Sequence, residues 1–545
     1  MSNREDANSM RSHKHTFMLL LSILIILVPV NGFSVNYQPK YVRYADYDYH
    51  FSIPNFSTSV GESDPPKGIR YTIPADPRYS IAISWYTHTS IDSLIFYGTS
   101  PENLTLSQVA GRETNKLENV ENVENVENVE SVENIENSEI IPYTYVHHII
   151  LSHLQENTTY YYRVGDNEHG WSAVEQFTTG PPRNSSHLHF LAYGDNRSDH
   201  PMRRLVNRLI LQNMSTYDKE PVQFILHMGD MVAQGDKPKL FNYFFDDSEP
   251  IFTKFPVLPI QGNHEFGNDG RSFYREEFTL PENGMEEWYW SIQYGSSLIM
   301  GLDSESHRLV PYDCQSIPWM ESILNSALQN NRILWKFAFF HQPPFVSSGH
   351  SSRLDIRQSW CPNFDRHGVD IVFNGHCHLY ERSFPVASNL TVETTERYHY
   401  QDPSYPIYIV TGAAGKGGPI DKQPERENDF MAYSNFTWHY VDISINNDYF
   451  TNISTLSAYT VGIIPQFYAN GTLDEFNVTN TVLLDNFSIS KPISSSWFDV
   501  EDSEFSGNHF STDPHQKKIA GLLIFSLSMV VILGAQVWFP YKTDK

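Results

Sequence analysis

The chain has 545 residues, enough for two or three domains and a large apolar core. Aromatic residues make up 14% of it and charged residues 19%, which is a globular composition. Acidic residues outnumber basic residues by 64 to 38, and the formal net charge is −26. This charge argues against nucleic acid as a partner, because binding a phosphate backbone needs clustered Lys and Arg.

The N-terminal segment, residues 1–32, has the order of a secretory signal peptide. Arg11 and Lys14 precede an apolar run at residues 17–30. A retained membrane anchor is the alternative interpretation of this run. A high density of glycosylation sequons favours an ectodomain that enters the secretory pathway. The sequons begin at Asn55, Asn103, Asn157, Asn184, Asn196, Asn213, Asn389, Asn435, Asn452, Asn470, Asn477 and Asn486.

Residues 65–180 are predicted to form an all-β sandwich of the fibronectin type III class. Residues 79–85 alternate as a half-buried strand does, and residues 159–164 repeat the pattern with aromatic and β-branched side chains. Within this module, Glu recurs at every third position of residues 118–139. Because a period of three fits neither a strand nor a helix, we interpret this insert as a solvated loop without a catalytic role.

Residues 187–490 alternate between apolar runs and amphipathic helices. This alternation predicts an α/β domain whose buried strands are covered by helices on both faces. Two helical stripes show apolar residues at the spacing i, i+3, i+4, i+7 and i+8. Their members are Met202, Leu205, Val206, Leu209 and Ile210 in one stripe, and Met320, Ile323, Leu324, Ala327 and Leu328 in the other.

The C-terminal part predicts a membrane anchor. Residues 491–518 are rich in Ser and acidic residues and are interpreted as a stalk. Residues 519–539 carry no charge and are long enough to cross a hydrocarbon core of about 30 Å. Residues 540–545 form a tail that ends in charged residues, which disfavours a GPI signal. We therefore expect a single-pass type I membrane protein, at the cell surface or in the lumen of the secretory or endolysosomal system.

Three cysteines, Cys314, Cys361 and Cys377, are present. In an oxidising compartment this odd number suggests one disulfide bridge and one free thiol. We expect Cys314 to pair with Cys361, because Cys377 lies between two histidines in a dense motif.

Five apolar runs each lead to residues that can bind a metal ion. The runs are residues 189–193, 222–226, 255–260, 334–340 and 369–373. The candidate ligands that follow them are Asp195, Asp230, Asn263, His341, His376 and His378. Because the loops at the carboxyl ends of strands build the ligand site of an α/β sheet, we expect these side chains at one edge.

The number of candidate ligands favours two metal ions. Six ligands are too many for one tetrahedral ion that keeps a position open for water. Shared through a bridging carboxylate, they suit two ions about 3.5–4 Å apart, which activate a hydroxide and neutralise a phosphoryl oxygen. A zinc-only site, or a purely structural pair formed by His376 and His378, is the alternative interpretation.

The order of these motifs resembles the calcineurin-like metallophosphoesterases and, within them, the purple acid phosphatases. The shared pattern is Gly-Asp, Gly-Asp, Gly-Asn-His-Glu, a lone His and Gly-His-x-His, followed here by Leu379-Tyr380-Glu381-Arg382 and Pro385. The β module resembles the same branch through Ser84-Trp85 and Tyr160-Tyr161-Tyr162-Arg163-Val164-Gly165. The resemblance implies a four-layer α/β sandwich behind the fibronectin-like module.

The resemblance also implies roles for individual residues. One metal ion is expected on Asp195, Asp230 and His378, and the other on Asn263, His341 and His376, with Asp230 as the bridge. His264 is expected beside the substrate phosphate, as a proton donor or oxyanion stabiliser. His350 falls where plant-type members carry further histidines that face the substrate.

Two positions depart from the family pattern. Ala233 stands three residues after Asp230, where the purple branch has a tyrosinate ligand, so we expect no purple colour. Fe, Zn and Mn are all candidate metals, because ferric iron loses a hard anionic ligand. Arg197 stands two residues after Asp195, where many relatives outside the purple branch have a metal-binding His. Its planar guanidinium suits a substrate phosphate. The sequon at Asn196 is expected to carry no glycan, because a glycan there would block the site.

The sequence therefore predicts a metal-dependent phosphoric ester hydrolase of the acid phosphatase type. A metal-bound hydroxide is expected to attack a phosphate monoester. The nearest alternative is a phosphodiesterase that acts on nucleotides or lipid headgroups. An alternative from another class is a non-catalytic surface receptor or adhesin that reuses the fold. No particular oligomeric state is predicted.

Overall fold

The computed structural model describes residues 65–497, with gaps at 89, 91–92, 116–144, 198, 217–220, 267–269, 286–287, 306–315, 418–427, 465–480 and 495–496. The predicted signal peptide, acidic repeat, membrane span and tail lie outside the described residues, as does most of the stalk. Within the described ranges, no helix is long and apolar enough to cross a membrane. The signal peptide and the C-terminal anchor remain predictions.

The described strands of the N-terminal β domain form two sheets. They are β1 (Lys67–Thr72), β2 (Ile81–Thr87), β3 (Leu94–Gly98), β4 (Leu106–Val109), β5 (Arg112–Asn115), β6 (Tyr145–Leu151), β7 (Thr159–Asp166), β8 (Gly170–Trp171) and β9 (Glu175–Thr178). One sheet has the order β1-β2-β6-β5, and the other has the order β4-β3-β7-β8 with β9 paired to β7. Tyr160, Tyr162 and Val164 of β7 are buried at alternate positions, as the sequence pattern indicates.

The second domain is built from two larger sheets and several helices. Its strands are β10 (His187–Tyr193), β11 (Phe224–His227), β12 (Val257–Pro259), β13 (Trp290–Tyr294), β14 (Ser297–Gly301), β15 (Trp335–Phe339), β16 (Ile371–Asn374), β17 (Tyr380–Ser383), β18 (His399–Gln401), β19 (Ile407–Thr411), β20 (Met431–Asn435), β21 (Trp438–Asp448), β22 (Ile453–Ile463) and β23 (Thr481–Pro492). Its helices are α1 (His200–Thr216), α2 (Pro238–Phe252), α3 (Gly270–Glu277), α4 (Ser316–Gln329), α5 (Leu354–Ser359) and α6 (Cys361–His367). The first sheet has the order β12-β11-β10-β21-β22-β23-β18, and the second has the order β13-β14-β15-β16-β19-β17-β20.

The two sheets of this domain pack face to face between helices. Phe190 on β10 lies 5.4 Å from Phe337 on β15, measured between ring centroids. Phe244 of α2 lies 5.8 Å from His227 on β11, and Phe364 of α6 shares an apolar cluster with residues of the second sheet. The fold is therefore a mixed α/β sandwich, and its buried strands present their carboxyl ends as a common edge.

The two predicted helical stripes lie on α1 and α4. Every predicted member on α1 is buried, and so are the first four members on α4. The fifth member on α4, Leu328, is 49% exposed, so the prediction was wrong at this position. Its side chain lies about 80° around the helix from that of Met320, on the flank of the buried stripe.

Buried polar contacts join the β domain to the second domain. The guanidinium of Arg70 lies 2.7 Å from the carboxylate of Glu277, and both side chains are fully buried. The Tyr71 hydroxyl donates to the carbonyl of Lys254 at 2.7 Å, and the Gly68 amide donates to Glu249 at 2.6 Å. Removing one member of the ion pair would leave a buried charge without its partner, so these contacts specify how the two domains dock.

Cys361 forms no disulfide bridge within the part of the chain that the structure describes. It is a buried free thiol at the start of α6, and burial raises the pKa of this thiol to about 12. Cys314, its expected partner, lies outside the described residues. Cys377 is also buried and free.

Candidate metal centre

The strands that the sequence singled out end at one edge of the paired sheets. β10, β11 and β12 run parallel in the first sheet, and β15 and β16 run parallel in the second sheet. The loops that follow these five strands contain all six candidate ligands. Because parallel strands have their carboxyl ends on the same side, the six side chains are brought to a common edge.

The backbone at the edge adopts conformations that most residues avoid. Asp195, Asp230 and His376 have φ values of 55°, 53° and 67°, in the left-handed region. Gly229 has φ +83°, and a Cβ atom there would lie 2.5 Å from the amide nitrogen of Gly262. Strained conformations of this kind concentrate at functional sites, where the surrounding structure holds them.

Asp195, Asp230 and His341 form the centre of the cluster. One donor atom from each lies within 4.8 Å of the others, and all three residues are buried. Nδ1 of His341 donates to the carbonyl of Met228 at 2.7 Å, so its Nε2 is directed toward the other ligands. Nε2 lies 3.4 Å from Oδ1 of Asp230.

Asn263 and His376 complete one half of the cluster. Oδ1 of Asn263 lies 3.1 Å from Nε2 of His341 and 2.8 Å from Nδ1 of His376. An amide oxygen, two imidazoles and the Asp230 carboxylate thus converge on one small volume. This donor set suits Fe, Zn or Mn ions.

Asp195 and His378 form the other half. Nε2 of His378 lies 3.6 Å from Oδ1 of Asp195. Oδ2 of Asp195 accepts the His376 amide at 2.9 Å, but the buried Oδ1 has no hydrogen-bond partner among the residues that the structure describes. A buried carboxylate oxygen without a donor is costly, and a cation would satisfy it. The residues present therefore fit a metal ion.

The two buried carboxylates of the centre, Asp195 and Asp230, also favour a bound cation. Burial and the neighbouring Asp230 raise the pKa of Asp195 well above its ordinary value. Although burial lowers the pKa of His341, Asp230 and Asp195 raise it to about 9. Burial and the neighbouring His341 lower the pKa of His376 to about 2, so this imidazole is neutral and able to bind a metal ion.

His264 and Arg197 both contact the central carboxylate. The amide of His264 donates to Oδ1 of Asp230 at 3.1 Å, and its Nδ1 donates to the Ala233 carbonyl at 2.7 Å. Nε2 of His264 lies 3.8 Å from Oδ2 of Asp230. Nε of Arg197 donates to Oδ2 of Asp230 at 3.1 Å, which leaves the terminal edge of the guanidinium outside this ion pair. Both side chains are partly exposed and border the centre.

His350 lies next to the centre, whereas Cys377 is directed away from it. The ring of His350 is exposed and lies 4.2 Å from the ring of His376, with 31° between their planes. Cys377 packs in a small apolar cluster with Val346 and Leu379, and burial raises its thiol pKa. The structure therefore brings together every predicted site residue and keeps the intervening cysteine out.

Two family models match this chain. The purple acid phosphatase N-terminal domain matches residues 66–179, and the calcineurin-like phosphoesterase domain matches residues 188–380. Together the two matches cover more than half of the chain. The chain belongs to the calcineurin-like metallophosphoesterases, in the purple acid phosphatase branch.

Individual relatives agree with this assignment. Acid phosphatase type 7 of Mus musculus is 28% identical over 302 residues, which are 50% of this chain and 64% of that protein. Phosphoenolpyruvate phosphatase of Allium cepa is 26% identical over 464 residues, which are 79% of this chain and 87% of that protein. The solved purple acid phosphatase PPD1 from yellow lupin (Lupinus luteus) seeds has a similar fold, with a TM-score of 0.59 and 18% identity over 83% of this chain and 78% of that one.

One contributor to this metallophosphoesterase centre, Glu265, was not predicted. Its buried carboxylate accepts the amides of Asp230 at 2.7 Å, Gly262 at 2.8 Å and Val232 at 3.0 Å. Burial and the charge of Asp230 raise the pKa of Glu265 to about 7. Glu265 thus clamps the loops after β11 and β12 together. Its place at the end of the Gly-Asn-His-Glu motif was the signal available in the sequence.

A second set of hydrogen bonds holds Asn196, the residue that follows Asp195. Asn196 is buried, and its Oδ1 lies 3.1 Å from Nε2 of His227. Arg203 donates to the Asn196 carbonyl at 3.1 Å, and Asp247 holds Arg203 in turn. The burial of Asn196 supports the expectation that its sequon carries no glycan.

Lys416 is a further residue that the sequence did not indicate. Its amide donates to the carbonyl of Asp195 at 2.8 Å, and its side chain is half-buried. Burial and the charges of Arg197 and Lys416 are among the causes that lower the pKa of His378 to about 4. The loop after β19 therefore adds positive charge beside the centre.

Proposed function

We propose that this protein is a phosphate-monoester hydrolase of the acid phosphatase type that uses two metal ions. The observation that carries the proposal is the convergence of oxygen and nitrogen donors around Asp230, together with the buried Oδ1 of Asp195 that has no hydrogen-bond donor among the described residues. The membership in the purple acid phosphatase branch supports the same reaction class.

The proposed ligand sets follow the two halves of the centre. Asp195 and His378 would hold one ion, and Asn263, His341 and His376 the other, with Asp230 shared between them. When bound, such a pair supplies Lewis-acid activation of water and neutralises charge on a phosphoryl group. Ala233 offers no phenolate, so Fe, Zn and Mn all remain candidates and no purple colour is expected.

The residues that border the centre would bind the phosphate. Arg197 is paired to Asp230 through Nε, and its terminal edge can donate to phosphate oxygens. His264 is oriented by its bond to the Ala233 carbonyl, which directs Nε2 toward the centre. His350, whose ring lies 4.2 Å from that of His376, would face the leaving group.

The test compares metal content and hydrolysis in the same full-length protein. Elemental analysis would count metal ions per chain, and p-nitrophenyl phosphate and bis(p-nitrophenyl) phosphate would be assayed between pH 4 and 8. About two ions per chain, with hydrolysis of the monoester and loss of both properties in Asp230→Asn, is the expected result. A stronger rate on the diester would instead support the phosphodiesterase alternative. A metal-free, inactive wild-type protein would support the receptor alternative.

We also propose that the protein is a glycosylated type I membrane protein of the secretory pathway. Asn103, Asn157, Asn184, Asn389 and Asn452 are exposed, so their sequons are sterically open to glycosylation. Enzymatic removal of N-glycans should shift the mobility of the expressed protein, and alkaline carbonate should leave it in the membrane fraction. An unshifted protein, or one released from membranes, would contradict the proposal.

A further inference from the structure

The loop between β15 and α5 brings His350 to the metal centre. The Val346 amide donates to the Ser352 hydroxyl at 3.0 Å, and Arg357 donates to the Pro344 carbonyl at 2.9 Å. The Arg353 amide donates to the Pro343 carbonyl at 2.9 Å. These contacts hold the two ends of the loop, whereas its tip, residues 347–350, has a separate anchor.

The separate anchor is Glu381 on β17. Its carboxylate is fully buried and accepts the Ser347 amide through Oε2 at 2.8 Å. The Ser347 hydroxyl donates to Oε1, and Ser348 adds a further side-chain hydrogen bond. The hydroxyl of Ser434, on the neighbouring strand β20, donates to the same Oε1 at 3.1 Å.

Most of the hydrogen bonds of this carboxylate go to the loop. A buried carboxylate is costly to desolvate unless donors surround it. Burial raises the pKa of Glu381, and the donors from Ser347 act in the opposite direction. A side chain that only filled space within the sheet would not need this charge. We therefore interpret the buried carboxylate of Glu381 as a group that positions the loop.

The position of the anchor bears directly on His350. Ser347 and Ser348 precede Gly349, which has φ +82°, a value in the region that favours glycine. The next residue is His350, whose ring lies 4.2 Å from that of His376. Because only Ser348 and the turn at Gly349 separate the two residues, a displacement of Ser347 would also displace the imidazole of His350.

We propose that Glu381 is a positioning residue that holds His350 at the metal centre through its hydrogen bonds to Ser347 and Ser348. Glu381 itself does not touch the centre and acts through the loop. The inference rests on the proposed function, in which His350 faces the substrate.

Two serine variants test this proposal as a matched pair. Ser347→Ala and Ser434→Ala each remove one hydroxyl from the same oxygen of Glu381, but only the first lies on the loop. We expect Ser347→Ala to lower kcat/KM for p-nitrophenyl phosphate about tenfold or more, because a small displacement of a substrate-facing group is costly. Ser434→Ala is expected to stay within about twofold. Equal losses in the two variants, or none in Ser347→Ala, would overturn the proposal.

A double-mutant cycle identifies the residue through which the anchor acts. In the background of His350→Ala, Ser347→Ala should cost no more than about a further twofold, because the group that it positions is already absent. A full, multiplicative loss in that background would mean that Glu381 serves something other than His350, and the proposal would fail. Metal content should be the same in all these variants.

Hydrogen exchange measures how well the loop amides are protected, and it needs no substrate. Glu381→Gln replaces one accepting oxygen by a donor, so exchange of the Ser347 amide should rise at least about tenfold, and Ser434→Ala should leave it unchanged. Unchanged exchange in Glu381→Gln would overturn the positioning role. If metal-loaded wild type hydrolyses no phosphate ester, the proposed function fails by itself. The affinity of inorganic phosphate for the same variants, measured by calorimetry, then decides the role of Glu381.

Discussion

The ligand cluster and the rim of the centre lie on the same loops but differ in burial. The ligand cluster is Asp195, Asp230, Asn263, His341, His376 and His378, and the rim, which we propose binds the phosphate, is Arg197, His264 and His350. Asp195, Asp230 and His341 of the cluster are buried, whereas the side chains of His378, Arg197 and His264 are 24%, 14% and 29% exposed and His350 is exposed. Each rim residue lies on a loop that also carries a ligand: Arg197 with Asp195, His264 with Asn263, and His350 with His341. We expect metal binding to depend on the buried centre of the cluster and phosphate binding to depend on the rim.

The largest expected effect is in the ligand cluster. His341→Ala should lower hydrolysis of p-nitrophenyl phosphate about 10³-fold or more, because metal-ion catalysis supplies several kcal/mol. Metal content should fall in parallel, as measured by elemental analysis. A variant that keeps both its ions and its activity would contradict the ligand assignment.

A matched control separates ligation from the loss of a buried imidazole. His439 is also fully buried, and its Nδ1 bonds a backbone carbonyl, that of Thr437, at 2.9 Å. His439→Ala should therefore lower stability to a similar extent while leaving the metal content unchanged. If it also removes the metal ions, the effect of His341→Ala is general and not specific to the cluster.

The clamp formed by Glu265 should give the next largest effect. Glu265→Gln keeps the shape of the side chain but cannot accept all three amides of the loops after β11 and β12. We expect metal affinity to weaken about 10- to 100-fold, as with other groups that orient ligands. Competition with a chelator of known affinity would measure the change. Wild-type affinity would show that the clamp has no influence on the ligands.

Arg197 in the rim should give a smaller effect and leave the metal ions in place. Arg197→Ala is expected to lower kcat/KM for the monoester about tenfold, the cost of one hydrogen bond to a charged group. Arg197→Lys should restore only part of the loss, because Lys lacks the planar fork. Arg204→Ala, at an arginine that is 43% exposed and paired with Asp247, is the control. Steady-state kinetics equal to wild type would refute the phosphate contact.

The smallest effect on activity is expected behind the cluster, at Asp247. Burial alone would raise the pKa of Asp247, but His200 and Arg203 lower it to about 2. Because the folded-state pKa lies below the unfolded value, the carboxylate stabilises the fold above about pH 4, and this contribution is lost as pH falls toward 2. Asp247→Asn should cost on the order of 2 kcal/mol of unfolding free energy at pH 7, with a much smaller difference near pH 2. Urea unfolding at several pH values would test this, and a difference that does not change with pH would contradict it.

Much of the centre could be predicted from the order of residues along the chain. The predicted runs that precede Asp195, Asp230 and His341 correspond to β10, β11 and β15. An apolar run must be buried, and a polar residue just after it must leave the core at the end of the strand. The apolar run and the polar residue that follows it are neighbours along the chain, so the sequence shows both. The same locality explains why the purple acid phosphatase resemblance was visible, since its motifs are these strand ends.

The errors and omissions arose where distant segments meet. Leu328 was included in the apolar stripe but is exposed, because helical spacing does not show where the covering sheet ends. Cys361 was paired with Cys314 because sequence alone does not reveal which thiols face each other. In both cases the local pattern was compatible with more than one environment.

By itself, the sequence determined the fold family, the strand ends and the identity of the candidate ligands. Only the tertiary structure decided that Glu265 clamps two loops, that Asn196 is buried, and that Glu381 anchors the loop that carries His350. At least one partner of each of these groups lies about 30 or more residues away along the chain, on another strand or loop. Sheet pairing brings them within hydrogen-bond distance, and no periodicity along the chain encodes which amide or hydroxyl a buried side chain will meet.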